Sequence, residues 1–212
     1  MNEPFSRFAL LTLTTATLGL ASSCSDDSDD TNAVAPALQV QTASNLMPAS
    51  SGTTATGQPA TPKHHAFYNL AASKEVPYTD SASTKWDIAV RGTTILVNGG
   101  TSGPGKGSAQ VVDGLFAELA EAPRTGYKQD AATAKAIPTG SGNGWYNYNS
   151  TTHLITPIAG KVIMLQTADG KYAKMEVVSY YKDAPAAPTA TSTSGCYTFR
   201  YLYQPDGSRN LK

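Results

Sequence analysis

Three histidines, two cysteines and one glycine-rich loop are the residues of this 212-residue chain with chemistry to offer, and their spacing limits what that chemistry is. The loop, Gly100 to Gly107 (GTSGPGKG), follows the apolar run Thr94 to Val97 and comes within one residue of the phosphate-cradling pattern G-x-x-x-x-G-K-[ST]. In such a loop a Ser or Thr directly after the Lys holds magnesium; here Gly107 stands in that place and Ser108 comes one residue late. The pattern also needs a helix whose N-terminus faces the phosphates, whereas Gln110 to Gly114 (QVVDG) reads as a short strand ending in a turn. The loop therefore reads as a wide connection between strands.

Nucleophilic catalysis would have to use His64, His65 or His153 as its base, and no serine sits in a G-x-S-x-G elbow. His64 and His65 are adjacent, so on a strand they point to opposite faces, and no H-x-x-x-H spacing offers a zinc site. The chain reads as a non-enzyme. Zero formal net charge with only 15% charged residues gives no basic field for nucleic acid.

The elements that must position these residues are strands. Eleven Tyr, 18 Gly and 13 Pro, set against so few charged residues, suit many short strands and turns better than long surface helices. Lys161 to Thr167, Lys171 to Tyr181 and Tyr197 to Tyr203 alternate, and Asp169-Gly170 between the first two predicts a hairpin. In the second run Ala173, Met175, Val177 and Ser179 share an apolar face, while Tyr172, Lys174, Glu176 and Val178 share a mixed one, which predicts a strand with one wet side. Leu115 to Ala122 (LFAELAEA) has helix-like composition but also suits an extended segment, and Asn143 to Tyr148 reads as a strand opening on a packed Trp145. A short strand is expected at Leu38 to Thr42. Met164 and Met175 are expected as core filling, and Cys196 as a small buried apolar thiol.

Ahead of this domain, Arg7 and the apolar stretch Phe8 to Ala21 look like a secretion signal, too short to span a bilayer. Ala21-Ser22-Ser23-Cys24 resembles the lipobox of bacterial lipoproteins, in which the Cys thiol is lipidated; a plain secreted protein is the alternative. The acidic run SDDSDD after Cys24 resembles the surface-export signal of Bacteroidota lipoproteins, or serves as a solvated spacer. Residues 1–23 are thus expected as signal peptide, 24–36 as a disordered acidic tether and 37–212 as one β domain. Residues 43–63, poor in large apolar side chains, are expected as a mobile loop.

Four motifs in order resemble the HmuY family of Bacteroidota lipoproteins. They are Trp86-Asp87-Ile88-Ala89, then Asn98-Gly99-Gly100-Thr101-Ser102-Gly103 with Gly105 to Gly107, then Ala168-Asp169-Gly170-Lys171-Tyr172-Ala173-Lys174, then Tyr197-Thr198-Phe199 with Tyr201 and Tyr203. The resemblance implies a single all-β, mostly antiparallel domain with little or no helix, held at the outer membrane and cell surface by lipid on Cys24, or shed from it. It also implies that the protein takes haem as cargo and passes it to an outer-membrane haem receptor. Family members grip the iron with two axial side chains, a His pair in some and Met in others. Imidazole or thioether supplies the iron bond while apolar walls shield the macrocycle.

The corresponding segment here, about Tyr127 to Lys161, holds one histidine and no methionine, so His153 is the candidate iron ligand. It suits equally a histidine packed at a strand start. A second ligand would come from His65, His64, Tyr146 or Tyr148, and Trp145 is the candidate for stacking on the porphyrin. Five-coordinate haem and a porphyrin held largely by stacking on Trp145 and nearby Tyr are the other readings. Ligation requires neutral imidazole, so affinity should fall below about pH 6. The alternative to haem capture is the same scaffold without an iron site, acting in adhesion or partner docking.

Overall fold

The computed structural model describes residues 37–50, 52–55 and 60–212. The segments expected as signal peptide and acidic tether, with Cys24, lie outside the described residues. The described chain forms eleven strands: β1 (Gln41–Leu46), β2 (Ala66–Asn69), β3 (Lys74–Val76), β4 (Ile88–Arg91), β5 (Thr94–Val97), β6 (Ser108–Asp113), β7 (Tyr146–Asn149), β8 (Leu154–Pro157), β9 (Lys161–Gln166), β10 (Tyr172–Tyr181) and β11 (Ser194–Gln204). The one helical element among the described residues is a 3-10 turn at Tyr78–Asp80. All strand pairings are antiparallel. A five-stranded sheet runs β1-β11-β10-β9-β6, a four-stranded sheet β3-β2-β4-β5, and β7 and β8 form a separate two-stranded sheet. The all-β expectation holds.

Alternation along each strand explains the core. Ile163 and Leu165 of β9, Ala173 and Met175 of β10, and Phe199 and Tyr201 of β11 share one buried cluster with Tyr68, Ile88, Val90, Ile95 and Val97 of the four-stranded sheet. Tyr68 of β2 meets Phe199 and Tyr201 of β11 edge-on, with centroids 5.4 and 6.0 Å apart. Such aromatic pairs contribute about 0.5–1.5 kcal/mol beyond the area they bury. The hairpin at Asp169-Gly170 forms as the sequence requires, with Thr167 N–H donating to the Lys171 carbonyl at 2.8 Å.

Three readings shift. The first strand lies at Gln41–Leu46, so Ala43 to Leu46, placed in a loop by the sequence reading, pair with β11 instead; Ala43 and Leu46 are buried. Leu115 to Ala122 makes a single turn at Leu115–Leu119 and then runs extended, with Glu121 bridging Asn210. That segment covers the side of β10 expected to be wet. Phe116 and Leu119, with Leu211 from the C-terminus, pack on Val162, Met164 and Leu202. Lys174 is only 3% exposed there, its Nζ donating to the carbonyls of Phe116 and Leu119 at 2.8 and 2.9 Å. Burial pushes the Lys174 amine down. The hydrocarbon stem lies in the layer and the ammonium finds backbone oxygens, which is how a lysine alternating with apolar residues can be covered.

The glycine loop is held by buried polar groups. The Asn98 amide donates to the carbonyls of Ser83 and Trp86, its Oδ1 accepts from Gly105 N–H, and its own carbonyl accepts from Gly107 N–H. Asp130 accepts from Val97 N–H on one carboxylate oxygen and from Ala136 N–H on the other, while its carbonyl accepts from Thr101 N–H. Asp87, 5% exposed, accepts from Leu70 N–H and from Ala168 N–H at the hairpin turn, tying the two larger sheets together. Burial raises the Asp87 carboxyl, and these two donors partly offset it. A Cβ at Gly99 would lie 2.0 Å from the Gly107 carbonyl oxygen, so this crossing admits only glycine.

Candidate functional site

His153 sits at the tip of the β7–β8 hairpin. Pairing runs from Tyr146 opposite Pro157 to Asn149 opposite Leu154, and Asn149 Oδ1 caps the turn by accepting from Thr151 and Thr152 N–H. His153 itself takes φ of +56°, a left-handed conformation that histidine tolerates better than most residues. The imidazole is exposed, and its Nδ1 shares a hydrogen bond of 2.7 Å with the Tyr148 hydroxyl. When Nδ1 carries the proton it donates to the phenol oxygen, and Nε2 is left with a free lone pair directed to solvent. A ring held through one nitrogen and open at the other is the arrangement a metal-binding imidazole requires.

The same hydrogen bond fixes the place of Tyr148. Two axial ligands occupy opposite faces of a macrocycle, and groups in direct hydrogen bond occupy one side. Tyr148, 44% exposed, therefore lies beside the His153 ring and not across from it.

The other sequence candidates are placed elsewhere. Tyr146 is 7% exposed and Trp145 2%, and both belong to the main core. Trp145 is surrounded by Tyr146, Tyr180 and Tyr197 at centroid distances of 4.9, 5.9 and 5.3 Å, and its Nε1 donates to the Thr93 carbonyl. Its ring has no open face for a porphyrin, so the stacking role gives way to a core role. Tyr146 likewise leaves the set of iron ligands. The physical reason is the same for both: the base of the hairpin is docked on the aromatic core, and only its tip is free. Tyr181 continues that docking, its hydroxyl accepting from Ile155 N–H of β8.

His64 and His65 precede β2 and diverge. His64 is exposed and stacks on Tyr78 at 3.6 Å between centroids. His65 is half-buried and lines a cavity of about 300 Å³ with Arg91, Thr94, Leu96 and Lys135. Burial, then the charges of Arg91 and Lys135, pull its pKa down to about 4, so the ring is neutral through the physiological range. Cys196 is buried, and burial pushes its thiol up to about 11; its Sγ lies 3.4 Å from Asn45 Oδ1. It is a packed thiol and a poor nucleophile.

Most N–H groups of the glycine loop are taken up by the protein itself and not turned towards a phosphate. The N–H groups of Gly99, Thr101, Ser102, Gly105, Lys106 and Gly107 all donate to protein oxygens.

One feature escaped the sequence reading altogether. A cavity of about 420 Å³ opens between Met47 and Pro48 after β1, Thr61 and Pro62 before β2, the β4–β5 turn at Arg91, and Tyr180 with Gly195. Its walls come from five segments separated in the chain, and no local pattern marks them. Among the described residues, no group of three or more His, Cys, Asp or Glu could hold a metal ion, and no helix is long and apolar enough to cross a membrane.

A family model described as HmuY protein matches residues 61–201, a span that includes both larger sheets' central strands and the β7–β8 hairpin. Solved structures are similar at low identity. A protein of Bacteroides vulgatus described as HmuY-like and heme-binding is 23% identical, with 66% of this chain and 85% of that chain covered and a TM-score of 0.43. The apo HmuY analog of Tannerella forsythia is 15% identical, with 80% of this chain and 96% of that chain covered and a TM-score of 0.49. A protein of Bacteroides fragilis described as a lipoprotein is 20% identical, with 66% and 84% covered and a TM-score of 0.43. No curated protein matches.

Proposed function

The chain belongs to the HmuY family, and on that premise we propose that it binds haem as cargo, without chemical change to it, through His153. The observation that carries the reading is the Tyr148–His153 pair, an imidazole fixed at Nδ1 and open at Nε2 on an exposed tip within the family match. His153 would then supply the single protein bond to the iron. Neutral imidazole supplies the bond, and the phenol oxygen, accepting the Nδ1 proton, raises the basicity of the ring. An open tip also suits a protein that must give its ligand up. In this reading lipid on Cys24 tethers the domain to the outer membrane, the acidic run carries it to the cell surface, and haem passes on to an outer-membrane receptor.

Hemin titrated into the protein at micromolar concentration gives a saturable Soret shift. His153→Asn, chosen because asparagine keeps the left-handed backbone, weakens binding by about tenfold or more. Absence of a Soret shift in the parent protein overturns haem binding, and an unchanged affinity in His153→Asn overturns the assignment of the ligand.

The exposure of His153 favours a second reading, in which the scaffold has no iron site and the hairpin tip docks a partner. The same titration separates the two.

A further inference from the structure

The cavity bounded by Met47, Pro48, Pro62, Arg91, Tyr180 and Gly195 shares no residue with the Tyr148–His153 pair. At about 420 Å³ it falls within the range of small-molecule sites. Its walls are of two kinds. A thioether, two proline rings and an aromatic ring provide apolar surface, and Arg91, Thr61 and Ser194 provide the polar part of the lining.

The Arg91 guanidinium is uncompensated. The ion pairs among the described residues are made by Lys85, Lys161, Lys171, Arg200 and Arg209. Arg91 uses one of its five N–H donors, on the Lys63 carbonyl at 3.1 Å, and Lys135 nearby donates only to the Ala131 carbonyl at 3.3 Å. Asp130, the carboxylate nearest in influence to this corner, is spent on Val97 and Ala136 N–H. The pKa of His65 is lowered first by burial, with the charges of Arg91 and Lys135 adding to it and Asp130 opposing them. Tyr180 adds a polar atom. Its hydroxyl has no hydrogen-bond partner among the described residues, and a Cβ built at Gly195 would stand 3.8 Å from it, in the cavity wall.

We propose that this cavity binds a planar aromatic carboxylate, with its ring against Met47, Pro48, Pro62 and Tyr180 and its carboxylate on the Arg91 guanidinium. The planar fork of arginine matches a carboxylate through two parallel N–H···O bonds, which a halide or a lone hydroxyl cannot satisfy. Flat rings fit a slot walled by prolines and a phenol better than a branched aliphatic body does. The site is separate from the haem reading and stands if that reading fails.

Methionine methyl groups provide the test. In the full chain labelled with 13C-methyl methionine, Met164 and Met175 are sealed in the core at 1% exposure, and Met47 alone of the described methionines faces the cavity. Added 2-naphthoate moves the Met47 methyl resonance saturably through its ring current and leaves Met164 and Met175 in place. The uncharged 2-naphthalenemethanol binds at least about tenfold more weakly. Arg91→Gln, on an exposed strand end, abolishes that preference for the acid; Tyr180→Phe keeps the ring and weakens naphthoate by a few-fold. His153→Asn changes nothing in this titration. No shift at Met47, equal binding of acid and alcohol, an unchanged preference in Arg91→Gln, or loss of binding in His153→Asn each overturns the proposal.

Discussion

The glycine loop, which passes from β5 of the four-stranded sheet to β6 of the five-stranded one, and the β7–β8 hairpin, inserted between β6 and β9 of the five-stranded sheet, are built on opposite principles. In the loop nearly every polar group is spent internally: Asn98 and Asp130 between them satisfy N–H groups of Val97, Thr101, Gly105, Gly107 and Ala136. In the hairpin only the base is bound, through Trp145, Tyr146 and the Tyr181 hydroxyl, and the tip holds an imidazole with one nitrogen unspent. A segment whose hydrogen bonds are nearly all internal has few to offer a ligand. The motif that most resembles a binding loop is thus a structural joint, and the proposed iron ligand lies on a hairpin with no motif at all.

The sharpest way to break the contrast is at Asp130. Asp130→Ala leaves two buried N–H groups unpaired, at about 1–3 kcal/mol each, so a loss of about 2–6 kcal/mol is expected in urea unfolding. His153→Asn should move the same midpoint by less than about 0.5 kcal/mol while weakening hemin by about tenfold. If the two variants behaved alike in both measurements, the division into joint and site would be wrong.

A smaller effect comes from His65. Its folded pKa of about 4 lies below the ordinary value of 6.5, so between these limits the unfolded chain binds more protons. Stability from this group is therefore intact above about pH 6.5 and is lost as pH falls towards 4. The ring is half-buried, so screening reduces the loss to about 1 kcal/mol. Unfolding measured at pH 7 and pH 4.5 should show this loss in the parent and not in His65→Gln; equal losses in both would remove His65 as the cause. Smallest of all is Tyr148→Phe, which deletes the acceptor for the Nδ1 proton at an exposed site. Hemin affinity should drop about two- to fivefold with the unfolding midpoint unchanged, and an unaltered affinity would mean that the phenol does not orient the ring.

Much of the architecture was legible because it is local. Alternation in Lys161 to Thr167, Lys171 to Tyr181 and Tyr197 to Tyr203 gave the three central strands, and Asp169-Gly170 gave their hairpin, since strand period and turn chemistry act over a few residues. Ala43 to Leu46 was missed as strand because its small and polar side chains carry little propensity; pairing with β11 supplies what composition does not. Lys174 was misread as wet because the segment that covers it, Leu115 to Ala122, is more than fifty residues away in the chain.

The candidate site divides in the same way. The sequence by itself determined the all-β class, the order of four family motifs, and that a single histidine lies in the segment between the glycine loop and the β9–β10 hairpin. Only the tertiary structure decided that Trp145 and Tyr146 are core, that Tyr148 lies beside His153 rather than opposite it, and that Met47, Arg91 and Tyr180 enclose a cavity. The reason is physical. Periodicity reports which side of an element is apolar, but whether that side meets a sheet, a ligand or water depends on elements brought together from distant parts of the chain.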